Sequence, residues 1–98
     1  MLNKAQKQYL KGLANTLKPL VQIGKNGLTD SVIEQINTSL EDHELVKIGV
    51  LKTADVTAKT VIGDVAAATG SEPVQAIGNK IVLYRDSQKD GIKHIVLD

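Results

Sequence analysis

The chain has no cysteine, tryptophan or phenylalanine, and Tyr9 and Tyr84 are its only aromatic residues. Without cysteine there is no disulfide, no thiolate-bound metal and no thiol nucleophile. That fits a reducing compartment. With so few aromatics, the core has to be built from Leu, Ile, Val and Ala. Stacking of bases on an aromatic sheet surface is excluded for the same reason. No apolar run approaches the roughly 20 residues that span a bilayer. The first residues, MLNKAQKQYLKG, hold no continuous apolar stretch to serve as a signal peptide. A soluble cytoplasmic protein with no membrane partner is the expectation.

Acid is also missing, but only from one region. The first 29 residues hold five lysines (Lys4, Lys7, Lys11, Lys18 and Lys25) and no carboxylate, Asp30 being the first. Residues 30–98 hold seven basic and eleven acidic residues, so a net charge of only +1 conceals a basic front and an acidic remainder. Such asymmetry points to a side that faces a polyanion.

What is present is enough for one domain. The chain has 98 residues, 42% of them apolar, which suits a single core. We expect one domain over 1–98, with a core from about 3 to 85 and a tail at 86–98.

Apolar spacing predicts a helix over 3–18, with Asn3 as its cap, Leu10, Leu13, Ala14 and Leu17 facing inward, and Pro19 as its stop. At 100° per residue, Lys4, Lys7, Lys11 and Lys18 gather within about 60° on another side of that helix. A strand at 20–23 follows. The next helix runs over 29–43, where Ser31 and Glu34 have capping-box spacing and Thr29 and Asp30 are rival caps. Val32, Ile33, Ile36 and Leu40 make its inner stripe. The run LVKIGVL at 45–51 reads as a central strand. A third helix spans 56–69, ended by Gly70.

A hairpin then pairs 74–77 with 80–85 about Gly78-Asn79. That register puts Val74, Ala76, Ile81 and Leu83 on one apolar face and Gln75, Ile77, Lys80, Val82 and Tyr84 on a mixed one. The tail contains a polar turn at 86–91 and then IKHIVL, an edge strand or a docked segment. The fold class is α/β (α+β, two-layer), in the order α-β-α-β-α-β-β. It has a mixed four-stranded sheet covered mainly on one side, with right-handed parallel crossovers.

The sharpest motif is Gly24-Lys25-Asn26-Gly27, between a strand and the start of a helix. Its glycines let the backbone turn tightly and keep side chains away from a ligand. The helix start offers free N–H groups and the positive end of a dipole. Lys25 adds a full charge, and Asn26 can donate and accept. These parts suit a phosphodiester backbone, and a Gly-x-x-Gly loop is the clamp of KH domains.

Other constellations carry less. His43 and His94 have no spacing that gathers ligands on one face. Asp55, Asp64 and Glu72 lack a nucleophile partner, and the serines have no nearby histidine or nucleophile elbow. The spacer of a P-loop is absent from GKNGLT. No enzyme activity, metal or cofactor is expected.

The run VQIGKNGLTDSVIEQINTSLEDHELVKIGVL, followed by VQAIGNKIVLYR, resembles the YhbY family. These are small bacterial single-domain proteins of the CRM (chloroplast RNA splicing and ribosome maturation) class. The resemblance implies a fold similar to the C-terminal domain of translation initiation factor three. It also implies an RNA-binding protein acting on ribosomal RNA of large-subunit precursors during ribosome assembly; a monomer is expected. The RNA contacts it implies are Gly24, Lys25, Asn26 and Gly27, adjoined by Lys4, Lys7, Lys11 and Lys18. Basic members of this class often end in a basic tail. Here the tail carries three acids, two lysines and a histidine, and it is left out of the expected surface. The alternative is a protein-interaction adaptor on the ribosomal particle, contacting ribosomal proteins through its acidic side or through Gln75, Ile77, Val82 and Tyr84.

Overall fold

A computed structural model describes residues 2–97. Three helices and four strands follow in the order α1 (Lys4–Ala14), β1 (Val21–Ile23), α2 (Asp30–His43), β2 (Leu45–Val50), α3 (Ala58–Thr69), β3 (Glu72–Ile77) and β4 (Lys80–Tyr84). The strands form one sheet in the order β1-β2-β4-β3. β1 runs parallel to β2, while β4 is antiparallel to both β2 and β3. β3 therefore runs in the same direction as β2, with β4 inserted between them. The α/β order and the mixed four-stranded sheet are those read from the sequence.

Each helix start has a local cause. Asn3 caps α1 by accepting the Gln6 N–H at 2.8 Å, and the Gln6 side chain answers by accepting the Asn3 N–H at 3.0 Å. At α2 the cap is Thr29, whose hydroxyl accepts the Val32 N–H at 3.1 Å. The Ser31–Glu34 box does not form, because both residues already lie inside the helix. Thr57 caps α3 with Thr60 as its box partner, so that helix begins at Ala58 rather than 56. Gly70 ends it in the left-handed conformation.

α1 stops at Ala14, four residues short of the expected end. Asn15 and Thr16 are poor helix formers, and Lys18, lying before Pro19, is steered into extended backbone. The Asn15 N–H is shared between the carbonyls of Lys11 and Gly12, and the Leu17 N–H reaches Ala14 O at 3.0 Å. Lys18 therefore lies off the helix and outside the expected lysine stripe. Leu13 and Leu17, expected inside, are exposed.

The sheet has two covered faces, not one. On the first, Ile23, Val46, Ile48, Ile81 and Leu83 pack under Ile36 and Leu40 of α2 and Val61 and Val65 of α3. On the second, Leu45, Val74, Val82 and Tyr84 pack under Leu10 and Ala14 of α1. Leu2, Ile95 and Leu97 complete that second cluster, so the tail is a docked segment. Val82 and Tyr84 are buried and give no adaptor surface.

Val74 also lies on the second face, opposite to the expected side. A bulge between Pro73 and Gln75 inserts one extra residue into β3, and a one-residue shift exchanges faces. The proline accounts for its position. It has no N–H to give to the ladder, and β3 is an edge strand, where such breaks are tolerated.

Candidate functional site

The loop Gly24–Gly27 is a tight turn closed by the Gly27 N–H on Gly24 O at 3.0 Å. Gly27 holds φ at +67°, a conformation that costs a β-carbon-bearing residue about 1 kcal/mol or more. Gly24 has no such need. A β-carbon there would meet only Leu51 Cδ1, at an ordinary 3.5 Å. Its bare backbone is compatible with close approach rather than demanded by the turn. The Thr29 N–H on Gly27 O at 3.1 Å ties the loop to the start of α2. Lys25 and Asn26 stand exposed at the tip.

The topology adds neighbours that the sequence did not indicate. Because β1, β2 and β3 run the same way, the loop, the β2–α3 connection and the β3–β4 turn share the carboxyl end of the sheet. Two backbone links join them. The Leu51 N–H reaches Ile23 O at 2.8 Å, and the Val50 N–H reaches Asn79 O at 2.7 Å. Asn79 Nδ2 adds a 3.3 Å bond to Val50 O. Lys52 and Lys80 thereby join Lys25 at one end of the molecule, together with the N-termini of α2 and α3. This is the end at which open α/β sheets bind ligands. Asp30, in the first turn of α2, and the exposed Asp55, in the β2–α3 connection, are opposing charges there; Asp30 suits the helix dipole.

The expected α1 surface is a separate one. α1 lies on the second face, mainly over β2 and β3, whereas the loop joins β1 to α2. Lys4 is exposed and Lys7 and Lys11 are half-buried along their stems. Among the described residues, Lys4, Lys7, Lys11, Lys18 and Lys25 form no ion pair. All five keep their charge free for an outside partner.

The opposite end of α2 is closed. Glu44 is fully buried and sits at φ +65°, a position that usually takes glycine. Its carboxylate accepts the Ser87 N–H at 2.7 Å and the Ile95 N–H at 2.6 Å, and His94 Nδ1 lies 2.8 Å away. Burial pushes its pKa up, but these donors outweigh it and hold the group at about 2, below the ordinary 4.5. The same contact raises His94 above its usual 6.5.

Arg85 bridges the same region. Its Nη1 donates to Asn37 Oδ1 at 2.8 Å and Thr69 O at 2.6 Å, and its Nη2 to Glu41 Oε2 at 3.1 Å. Glu44, Asp86 and His94 bring ligand-type atoms within 4.8 Å of one another. Both Glu44 oxygens already accept N–H groups, so the cluster is an anchor for the tail. Neither Glu44 nor His94 stood out in the sequence, because residues 50 positions apart meet there.

The fold has a counterpart among solved structures. The solution structure of a Staphylococcus aureus hypothetical protein, 41% identical, superposes with a TM-score of 0.78 over 97% of this chain and 100% of that one. The CRS1/YhbY (CRM) domain model matches residues 2–85. The chain belongs to that family. A Haemophilus influenzae relative named an RNA-binding protein is 41% identical over 92 residues, 94% of this chain and 93% of its own. A Bacillus subtilis relative, named a probable RNA-binding protein, YqeI, is 39% identical over 90 residues, 92% of this chain and 94% of its own.

Proposed function

We propose that this protein binds RNA through the Gly24–Gly27 loop, and that its target is ribosomal RNA in precursors of the large subunit, where it acts as an assembly factor. The observation that carries the reading is an open, glycine-flanked turn at a helix start with Lys25 exposed at its tip and, among the described residues, in no ion pair. Membership in the CRM family, and relatives named for RNA binding, support it. Gly24 and Gly27 let the phosphate backbone approach, Lys25 neutralises a phosphate, and Asn26 bonds a sugar or phosphate oxygen. Lys52 and Lys80 extend that contact along the sheet end. Lys4, Lys7 and Lys11 offer a second basic surface for a neighbouring RNA segment.

Such binding rests on phosphates and shape, so it is modest in sequence selectivity. It is a binding role rather than a catalytic one, without a cofactor, in a monomer of the cytoplasm. Among the described residues, no helix is long and apolar enough to cross a membrane.

The test uses fragments of large-subunit ribosomal RNA. The logarithm of affinity should fall linearly with the logarithm of salt, by about 0.7 per lysine engaged on a single strand. Gly24→Asp with Gly27→Asp should abolish binding while leaving the circular dichroism spectrum unchanged. Asp is among the residues that best tolerate the left-handed conformation, and position 24 has room for it. A double variant that binds as well as the parent would refute the loop. Crosslinking in cells, with sequencing of the attached RNA, tests the ribosomal target separately.

A further inference from the structure

The early end of α1 leaves an apolar surface that the core does not use. Leu13 and Leu17 are each 37% exposed and Leu20 is 54% exposed. With Ile95 of the docked tail they line a cleft of about 500 Å³. Lys18, His43 and Lys47 also line it, and among the described residues no carboxylate does. Among the described residues, none of these three is in an ion pair.

We propose that this cleft docks a segment of a partner protein in which apolar side chains are flanked by carboxylates. The leucines supply the buried contact, worth about 25 cal/mol for each Å² of apolar surface removed from water. The lysines of the lining select acidic flanks and speed encounter. The apolar patch is the kind of surface that marks an interaction site.

RNA fits this cleft poorly. Leu13, Leu17, Leu20, Leu45 and Ile95 make up most of its lining and offer no donor for phosphate, and His43 is the one ring that lines it among the described residues. Tyr9 lies in a different groove, and Tyr84 is buried. The cleft also lies at the opposite end of the strands from the Gly24–Gly27 loop. Leu20 and Leu45 precede or open β1 and β2, whereas the loop follows the end of β1. A protein at one end of the sheet and a polyanion at the other can be held together.

The probe is a displayed library of random short peptides, selected on the full chain, with binding mapped on the methyl resonances of Leu13, Leu17 and Leu20. We expect enriched peptides to carry Leu, Ile or Val next to Asp or Glu and to shift those methyls. Leu20→Glu should weaken them at least tenfold with the melting temperature unchanged, and Lys18→Glu should weaken them several-fold. Should Leu20→Glu fail to fold, Lys18→Glu with Lys47→Glu decides the matter from the lysines alone. Basic enriched peptides, no enrichment, shifts confined to other residues, or a single-stranded RNA that shifts the cleft methyls would each overturn the proposal. Loss of RNA binding at the loop leaves this result unaffected, so the two claims fail separately.

Discussion

At the N-terminal end of α2, Lys25 and Asn26 project from a turn held only by backbone bonds, and their polar groups face outward. At the C-terminal end of the same helix, the buried Glu44 is engaged by Ser87, Ile95 and His94, and the half-buried Glu41 by Arg85. The comparison separates two uses of charge. Buried charge with every partner inside the fold holds elements together, and removing one partner leaves the other stranded. Exposed charge with no partner contributes little to stability and is available for binding. Polar residues at the closed end should therefore report on folding, and those at the open end on affinity.

The largest break should come at Glu44. Glu44→Ala leaves the Ser87 and Ile95 N–H groups without an acceptor and should cost about 3 kcal/mol, read by chemical denaturation. RNA affinity should survive in whatever fraction still folds.

Next is the charge at the open end. Lys25→Glu should lower RNA affinity about tenfold, or roughly 1.4 kcal/mol, with no change in melting temperature; filter binding and thermal melts check the two halves. Gly27→Ala, by contrast, should destabilise by about 1 kcal/mol because of its positive φ, which links the open loop weakly to the fold.

Titration sharpens the closed end further. Glu44 has a folded pKa of about 2 against an ordinary 4.5, so its stabilisation is present above 4.5 and is lost as pH falls toward 2. His94 is raised above 6.5, so its share is present below 6.5 and is lost as pH rises through the higher folded value. Tail docking should be tightest between about 4.5 and 6.5, measured by hydrogen exchange at the Ser87 and Ile95 amides. The smallest effect should be Lys89→Ala. It removes an exposed pair with Asp42 and should leave the melting temperature unchanged within error.

Much of the fold was legible because its signals are local. Asn3, Thr29 and Gly70 marked helix ends by chemistry that needs only a few neighbouring residues. The apolar run at 45–51 marked a strand buried on both sides, and β2 has neighbours on both edges. The errors had local causes as well as distant ones. Ser31–Glu34 matched a capping box, yet Thr29 took the role. The alternation about the hairpin was read without the bulge at Pro73, so Val74 was put on the wrong face. The second face looked mixed because Leu10, Ala14 and the tail that cover it come from opposite ends of the chain.

For the candidate site, the motif and the lysine count were visible in sequence, but not which lysines adjoin the loop. Lys18 was assigned to a stripe that ends before it, and Lys52 and Lys80 were passed over because only the strand directions bring them to the loop's end of the sheet.

The sequence by itself determined the α/β order, the glycine turn ahead of a helix, and a basic front kept free of acid. Those follow from spacing, composition and turn chemistry, which act over a few residues. Only the tertiary structure decided that α1 covers the second face, that Glu44 anchors a tail 50 residues away, and that Leu13, Leu17 and Leu20 remain open to solvent. Those outcomes depend on which surfaces meet once the sheet has formed, and no local pattern records that choice.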